Sequence, residues 1–494
     1  MRIRRGSDAA RRLRRIYSLR MGEASGKQQG MWVKLAILAG VYAGFVWLVP
    51  RPETLTAGAW RLAGLFLATV AGLILQPVPG GAIVLLAVTI APLITPLKLS
   101  DALGGYADST VWLVMAAFFI ARALINTGLA RRIALMFVRA FGSSTLGVCY
   151  ALGLSDMVLA SIIPSNAARS GGVILPIARS IAELYGSQPG ETARRMGAFL
   201  MVGVYQSICV TAAMFFTGQA SNPLAAQMAG NFGYSVTWAG WIFAACVPGL
   251  CSLALAPWVV SKIYPPEIRR TPEAAAFASA ELEKMGPMSR QEKILLAVFV
   301  SVCGAWATSS RTGLDITVAA LCGSAALLLT RVLAWQDVTG ERAAWDIFIW
   351  YGGLLRLGKA LHEQHVTEAF AQRFGAMLGG LEWLALLVAA LLVFYYAHYL
   401  FASITAHLLA LYAPFLALLA AKGAPLGLVV FSFACFANLS AGLTNYGTTP
   451  SPMYYAQGYV AFRDWWRVGF LVSLCHLALW GSVGFAWWKL IGLW

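Results

Sequence analysis

Long apolar runs alternate with short polar connections from residue 31 to the end of the chain. A helix needs roughly 20 apolar residues to cross a bilayer core of about 30 Å, so each long run predicts a membrane-spanning helix. Runs interrupted by Pro, Gly or polar residues predict hairpins or broken helices instead. The predicted segments are 31–49, 58–76, 80–96, 110–128, 144–163, 170–184, 194–216, 235–261, 293–309, 313–334, 346–361, 382–402, 406–421, 426–443 and 468–490.

The basic residues are grouped in the connections that fall on one side of these spans. Cytoplasmic connections of membrane proteins are enriched in Lys and Arg. With the N-terminus inside, the inner connections hold Arg131, Arg132, Arg139, Arg194, Arg195 and a basic group between 262 and 293, whereas the outer ones hold mostly single charges. This assignment is consistent only if each of the segments 144–184 and 382–421 enters and leaves the membrane on the same side. The pattern therefore predicts an inner re-entrant hairpin at 144–184 and an outer one at 382–421.

A polar linker at 263–292 divides the chain into halves at 31–262 and 293–494, after a basic N-terminal tail at 1–30. Arg122-Ala123-Leu124 matches Lys359-Ala360-Leu361 at an offset of 237, and the segment from Ser165 matches the segment from Ser403 at 238. With hairpins of opposite orientation, these offsets predict two inverted repeats. The first repeat contains a broken helix at 194–228; the second contains a broken helix at 426–460 and a last helix at 468–490.

Composition excludes an ordinary soluble protein, because 59% of the 494 residues are hydrophobic and only 12% are charged, against about 25% in soluble domains. The net charge of +16 does not indicate a nucleic-acid partner, since the basic residues separate apolar runs. The eight cysteines lie in apolar segments without metal-binding spacing, so we expect no metal and no cofactor. We predict an all-α polytopic membrane protein of about 11 transmembrane helices plus the two hairpins, in a lipid bilayer, with a cytoplasmic N-terminus.

Four polar stretches interrupt the apolar segments: two at the predicted hairpin tips, 163–172 and 398–407, and two in neighbouring helices, 217–223 and 444–452. Non-helical backbone at membrane depth is tolerated only where protein or water satisfies it, so such stretches mark a cavity. The N-terminal end of a half-helix favours an anion, and Ser, Thr and Asn side chains there can hydrogen-bond a carboxylate. We predict a site for a substrate with two carboxylates, formed by Ser165, Asn166, Ala167, Arg169, Thr217, Gly218, Ser403, Ile404, Thr405, His407, Thr448, Thr449 and Pro450.

Arg169 and His407 follow their tips at equivalent positions, one helical turn into the second half-helix. An uncompensated charge at membrane depth is costly, so we expect both residues to compensate a doubly charged anion. Other interpretations stay open. Arg169 could form a structural ion pair, and Asp156 could be its partner or could sense protons. His407 could be a helix-packing histidine, and Asn222, Asn445 and the threonines could join helices to one another.

Several of these segments resemble the divalent anion/sodium symporter family, especially its citrate/succinate and oxoglutarate/malate exchanger branch. The resemblance covers almost the whole chain after residue 30. It is carried by Pro164-Ser165-Asn166-Ala167-Ala168-Arg169, by Tyr399 to His407, by Asn445-Tyr446-Gly447-Thr448-Thr449-Pro450-Ser451-Pro452 and by Gly458-Tyr459-Val460. It implies a homodimer of two inverted repeats, in which a transport domain slides against a scaffold like an elevator.

Members of that family carry Ser-Asn-Thr at both hairpin tips, where these residues bind carboxylates and help to frame two sodium sites. This chain has Ser165-Asn166-Ala167 and Ser403-Ile404-Thr405 instead. Ile404 offers no side-chain oxygen to sodium. The exchangers of the family resemble this pattern, which implies that Arg169 and His407 replace the charge of sodium.

The expected function is therefore sodium-independent exchange across a bacterial-type inner membrane. An external citrate, tartrate, malate or 2-oxoglutarate would be swapped for an internal dicarboxylate such as succinate. One alternative is a sodium-coupled dicarboxylate symporter. A more distant one is an intramembrane enzyme, although no catalytic Ser/His/Asp, HExxH or paired-carboxylate spacing supports it.

Overall fold

The computed structural model describes residues 30–377 and 382–494, so the predicted cytoplasmic tail lies outside the described residues except for Gly30. The regular elements of the described ranges are helices. Ten of the helices described there are long and apolar enough to cross a membrane. These helices confirm the predicted all-α polytopic class.

The helices of the first half follow the predicted segments closely. They are α1 (Gly30–Leu48), α2 (Ala57–Leu75), α3 (Gly80–Ile94), α4 (Leu99–Leu103), α5 (Ser109–Asn126), α6 (Leu129–Phe141), α7 (Thr145–Ala160), α8 (Leu175–Leu184), α9 (Gly197–Met214), α10 (Ser221–Gly230), α11 (Trp238–Ile263) and, in the linker, α12 (Pro272–Met285).

The second half repeats much of this order. Its helices are α13 (Arg290–Thr312), α14 (Ile316–Leu329), α15 (Trp335–Gly340), α16 (Arg342–Glu363), α17 (Val366–Met377), α18 (Trp383–Ala397), α19 (Ile404–Ala421), α20 (Leu426–Leu439), α21 (Pro450–Tyr455), α22 (Phe462–Leu479) and α23 (Phe485–Leu490).

Two helical hairpins and two broken helices carry the polar stretches. Hairpin 1 consists of α7, a tip, a π-helical turn (Ala167–Ile174) and α8; hairpin 2 consists of α18, a tip and α19. Break 1, at 215–220, separates α9 from α10, and break 2, at 444–449, separates the end of α20 and its 3₁₀ turn from α21. All four interruptions fall where polar residues replace the apolar pattern.

The two helices that lead into the breaks form the centre of the molecule. The apolar window of α9 is completely buried, and that of α20 with its 3₁₀ turn almost completely, whereas no residue in the window of α1 is buried. The second parts of the broken helices cross over between the halves, because α10 packs on α19 of hairpin 2 and α21 packs on the π turn of hairpin 1. Each half therefore supplies part of the support for the other half's tip.

Several segments that hydropathy assigns to connections are helices, namely the short α4 and α15 and the longer α6, α12 and α17. The helix α6 carries Arg131, Arg132 and Arg139, yet it buries an apolar stripe that includes Leu135 and Val138. Such amphipathic helices escape a search for uniformly apolar runs, because half of their surface is polar.

The linker between the halves is bound to hairpin 1 rather than free. The backbone N–H of Thr145 donates to Arg269 O (3.1 Å), and that of Thr271 donates to Ser143 O (2.9 Å), at the base of the first leg. The base of the second leg is held as well, because the Tyr185 hydroxyl donates to the Glu273 carboxylate. This hydrogen bond lowers the pKa of Glu273 and contributes to a raised pKa for Tyr185.

Candidate functional site

The tip of hairpin 1 is capped by Ser165. Its Oγ accepts the backbone N–H of Ala168 (3.2 Å), and its carbonyl accepts the N–H of Arg169 (3.0 Å). Ser165 and Ala167 are half-buried, whereas Asn166 is buried. Because the cap uses a lone pair of the hydroxyl, its O–H remains able to donate to a ligand.

Arg169, on the π turn after this tip, is completely buried within four oxygen atoms. Its Nε donates to Asp156 Oδ1 (2.8 Å), its Nη1 to the carbonyls of Ile163 (2.7 Å) and Gly218 (2.8 Å), and its Nη2 to Asn166 Oδ1 (2.5 Å). The guanidinium therefore joins the tip to break 1.

The charge of Arg169 is balanced within the protein. Asp156 is also completely buried, and its second oxygen accepts the hydroxyl of Thr211 (2.5 Å). The ion pair of Arg169 with Asp156, one of the interpretations left open above, is therefore present in the structure. The expected part of Arg169 in compensating a bound anion stays a prediction.

Break 1 is stabilised by side chains that replace the missing helical hydrogen bonds. Thr217 Oγ1 donates to Ser161 O at the tip (2.5 Å) and accepts the indole N–H of Trp238 (3.2 Å). The amide of Asn222 donates to the carbonyls of Ala212 and Phe215, both at 2.8 Å. The predicted site residues Thr217 and Gly218 are both buried, and their polar groups serve the tie between tip and break.

The tip of hairpin 2 repeats the arrangement of the first. Ser403 caps α19 by accepting the N–H of Ala406 (3.4 Å), and its carbonyl accepts the N–H of His407 (3.0 Å). Ser403 and Thr405 are half-buried, whereas Ile404 is buried in the apolar core. The side chain that replaces the family's asparagine therefore packs away from any ligand at this tip.

Two histidines occupy the place that Arg169 holds in the first half. His398 Nε2 donates to Gly447 O of break 2 (2.9 Å), and His398 Nδ1 lies 3.0 Å from His407 Nδ1. A carbonyl oxygen can only accept a hydrogen bond, so His398 carries a proton on Nε2. When His398 is neutral, its Nδ1 accepts a hydrogen bond from His407 Nδ1. His407 is buried against the rings of Phe394 and Phe401, with centroids 4.1 and 5.0 Å away.

The hydrogen bonds that join the tip of hairpin 2 to break 2 resemble those that join the tip of hairpin 1 to break 1. At break 2 the hydroxyl of Tyr446 donates to Tyr399 O (2.8 Å), as Thr217 donates to Ser161 O at break 1. Positions 161 and 399 differ by 238, the offset found between the tips. Each break is thus attached to its own tip by one side chain from the break and one basic side chain from the hairpin.

The remaining predicted residues lie at the start of α21. Thr448 is buried, and its backbone N–H donates to Ser451 Oγ (3.1 Å), while Pro450 begins the helix and is buried. Thr449 is exposed. Ser451 Oγ also contacts the hydroxyl of Tyr205, which extends from α9 of the other half.

A pair of asparagines connects the two halves through the centre. Asn438 of α20 donates to Asn222 Oδ1 (2.8 Å), and both residues are buried. Asn438, Tyr205 and Gln206 were missed by the sequence analysis, although a polar residue inside an apolar helix is a signal that could have identified them. The structure thus joins each tip to its own break, and the two asparagines join α10, which follows break 1, to α20, which precedes break 2.

The predicted site residues fall into two groups according to their solvent exposure. Ser165, Ala167, Ser403 and Thr405 are half-buried and Thr449 is exposed, so these five can meet a ligand. The buried group holds the tips in place, and it consists of Asn166, Arg169, Thr217, Gly218, Ile404, His407, Thr448 and Pro450.

Three oxygens at the first tip and break 1 accept hydrogen bonds from Arg169. Sodium needs several oxygen ligands, but the carbonyls of Ile163 and Gly218 and the amide oxygen of Asn166 already accept from Arg169. At the second tip the corresponding carbonyl, Gly447 O, accepts from His398. Basic side chains therefore use oxygen acceptors beside both tips.

Comparison with known proteins gives a consistent result. The family described as the sodium:sulfate symporter transmembrane region matches residues 29–494. YflS of Bacillus subtilis (strain 168), named as a proposed malate transporter, is 40% identical over 472 residues, which cover 95% of this chain and 99% of YflS. The chloroplastic dicarboxylate transporter 1 of Arabidopsis thaliana is 39% identical over 471 residues, which cover 94% and 84%.

A solved structure has a similar fold. The YdaH transporter of Alcanivorax borkumensis superposes with a TM-score of 0.53 at 14% sequence identity, covering 89% of this chain and 99% of that one.

Proposed function

This chain belongs to the divalent anion/sodium symporter family, a family of multi-pass membrane transporters, and we propose that it exchanges carboxylates without sodium. The substrate class is a di- or tricarboxylate such as malate, tartrate, 2-oxoglutarate or citrate, exchanged for an internal dicarboxylate such as succinate. The names of the two relatives, which refer to malate and dicarboxylate transport, support the dicarboxylate part of this proposal. Membership of a transporter family removes the intramembrane enzyme from consideration.

The hydrogen bonds from Arg169 to oxygens of the first tip and break carry the sodium-independent part of the proposal. The Arg169 guanidinium donates to three oxygens of the first tip and break, and Asp156 balances its charge. The role of a sodium ion in holding the tip against the break is thus supplied by a fixed side chain. Without a coupled cation, uphill uptake of one carboxylate requires the downhill exit of another.

The hydroxyls and N–H groups of the tips are the proposed substrate ligands. Ser165 and Ser403 can each still donate an O–H proton to a ligand. The backbone N–H groups of the first helical turn have no acceptor within the helix, and each serine hydroxyl accepts only one of them. The positive ends of two half-helices also favour carboxylates. We propose that each tip binds one carboxylate of the substrate, with Thr405 and Thr449 as further donors.

The proposed mechanism is an elevator movement of the tip-bearing elements against a scaffold, within a homodimer. Hydrogen bonds join each hairpin to its broken helix and the two broken helices to each other, which would allow them to move together, and the offsets of 237 and 238 support two inverted repeats. We propose a bacterial inner membrane with the N-terminus in the cytoplasm, because apolar helical spans of this kind suit such a membrane and the basic connections fall on one side. The domain boundaries given above belong to this proposal.

The alternative is sodium-coupled dicarboxylate symport, and one experiment separates the two. Purified protein is reconstituted into liposomes that contain succinate, malate or no carboxylate, and uptake of labelled malate is followed with sodium or with choline outside. We expect rapid uptake only into loaded vesicles and the same rate in both salts. Sodium-driven uptake into empty vesicles would overturn the proposed exchange.

A further inference from the structure

A cavity of about 410 Å³ is lined by residues other than those of the two tips. One wall is formed by α2 and the second half of α16, including Phe66 and Gly358. The other is formed by α10, the residues that follow it and the middle of α19, including Phe232 and Ala410, and α1 and α17 also contribute. None of the predicted site residues lines it. Its volume and its apolar, aromatic lining are typical of pockets that bind small organic ligands.

One basic side chain at this cavity lacks a counter-ion. Lys359 lines the cavity, is exposed, and makes no ion pair among the described residues. Among the neighbouring acidic groups, Glu363 pairs with Arg356 (2.9 Å), and Glu368 lies 2.9 Å from His362 Nδ1. The cavity therefore combines an apolar interior with one uncompensated positive charge.

The repeat places a related hollow in the first half. A cavity of about 240 Å³ is lined there by Gly172 and Pro176 of hairpin 1, and the offset of 238 relates these positions to Ala410 and Pro414 of the larger cavity. Ile125 and Ala130 likewise correspond to His362 and Thr367 at 237. The two hollows thus occupy equivalent places beside the second legs of the two hairpins.

In the first half, the linker helix α12 contributes to the wall of the hollow, because Phe277 of α12 lines it. Glu281 of the same helix pairs with Arg131 (2.8 Å), another residue of that wall. No linker residue is among the described residues that line the larger cavity.

We propose that the larger cavity binds a single-chain amphipathic carboxylate, with its chain among the phenylalanines and its carboxylate on Lys359. The carboxylate would supply the counter-ion that Lys359 lacks among the described residues. The ligand class is that of medium-chain fatty acids, which differ from the transported substrates in having one carboxylate and a long apolar body.

Occupancy would also affect transport if the elevator proposal holds. The cavity separates α2 and α16 from α10 and α19, and the last two carry break 1 and the tip of hairpin 2. A ligand wedged between them would oppose their relative movement without competing for the tips. This consequence rests on the proposed function, whereas binding itself does not.

Direct labelling tests the binding. A dodecanoate probe with a photoreactive diazirine in its chain is irradiated with the protein in phosphatidylcholine nanodiscs, and the labelled peptides are mapped. We expect label on α2, α16 and α19, with unlabelled dodecanoate competing and its methyl ester competing at least about 10-fold more weakly, since hydrogen bonds to charged groups contribute about 1.5–3 kcal/mol.

Two variants and two controls sharpen the result. A Cβ at Gly358 would meet no atom within 4 Å, so Gly358→Leu places its side chain in the cavity and should abolish labelling. The matched control is Gly304→Leu, also without neighbours within 4 Å but outside the cavity. Lys359→Gln should weaken dodecanoate binding about 10-fold, whereas Lys359→Arg should preserve it.

Labelling that survives Gly358→Leu, or that the methyl ester blocks as well as the acid, would overturn the proposal. Displacement of dodecanoate by added phosphatidylglycerol would overturn the assignment to a single-chain carboxylate. Malate counterflow measured alongside should fall several-fold with dodecanoate at unchanged KM. Labelling without inhibition would leave this binding site intact and contradict the elevator mechanism.

Discussion

At the residue scale, the buried pair of Asp156 and Arg169 determines how the first tip is held. Four hydrogen bonds satisfy the guanidinium, and one of them crosses from the hairpin to break 1. A buried ion pair contributes modestly as a whole, but loss of one partner leaves an uncompensated charge, which costs about 3–5 kcal/mol. The pair therefore acts as one unit.

A double-mutant cycle tests this unit. Asp156→Asn and Arg169→Gln should each lower the unfolding temperature strongly, whereas the double variant should lose less than the sum, because it leaves no unpaired charge. Thermal unfolding of the purified protein in detergent measures all three. Additive losses would show that the two side chains do not stabilise each other.

The two capping serines have a different expected effect. Ser165→Ala and Ser403→Ala should each raise the KM for malate about 10-fold or more, since a hydrogen bond to a charged group is lost. Counterflow in succinate-loaded vesicles provides the measurement. Ser261→Ala is the matched control, because that hydroxyl donates to a carbonyl within its own helix and lies outside the site. An unchanged KM for malate in both cap variants would show that these two serines do not bind the substrate.

The sequence alone placed Arg169 at the first tip, but it did not decide whether the charge of this residue is paired. The position after the tip and the possible partner were both readable, because Asp156 is the one acidic residue of the predicted hairpin's first leg. The carbonyl of Gly218 could not be foreseen, since a backbone acceptor 49 residues away has no sequence signal.

At the element scale, a glycine in each break allows the chain to approach its own preceding helix. A Cβ on Gly218 would lie 2.7 Å from Ala212 O, and a Cβ on Gly447 would lie 2.6 Å from Ala441 O. Both contacts involve a backbone carbonyl six residues earlier, which cannot move aside as a flexible side chain could. The same local geometry thus recurs in the two halves.

Alanine at either glycine should therefore distort the break. We expect Gly218→Ala and Gly447→Ala to destabilise the protein by about 1–3 kcal/mol, as overpacking does, and to abolish malate counterflow. Unfolding temperature and counterflow are measured together. Gly44→Ala is the control, because a Cβ there meets nothing within 4 Å. Normal counterflow in both break variants would contradict the proposed role of the breaks.

The spans, tips and breaks were predictable because they depend on local patterns, namely apolar runs and the polar residues that interrupt them. The helices α6, α12 and α17 were not, since their charged faces resemble connections. The packing of α10 on hairpin 2 and of α21 on hairpin 1 is long-range and leaves no mark on either segment alone.

At the scale of the whole molecule, Asn222 and Asn438 provide a polar connection between the repeats. Asn438→Leu would remove the donor to Asn222 Oδ1 and leave that buried oxygen without it, at a cost of about 1–3 kcal/mol. We expect a lower unfolding temperature and slower counterflow. Ser432→Ala on the same buried helix is the control, because its hydroxyl has no partner among the described groups. Equal effects of the two changes would contradict a specific link.

The central claim is that the two tips bind one dicarboxylate together without sodium. The most direct measurement is a cryo-electron microscopy structure of the protein in nanodiscs with malate in sodium-free buffer. We predict malate density within hydrogen-bonding distance of both Ser165 and Ser403, with Arg169 still paired to Asp156. Malate bound at one tip only, or density that forms only after sodium is added, would contradict it.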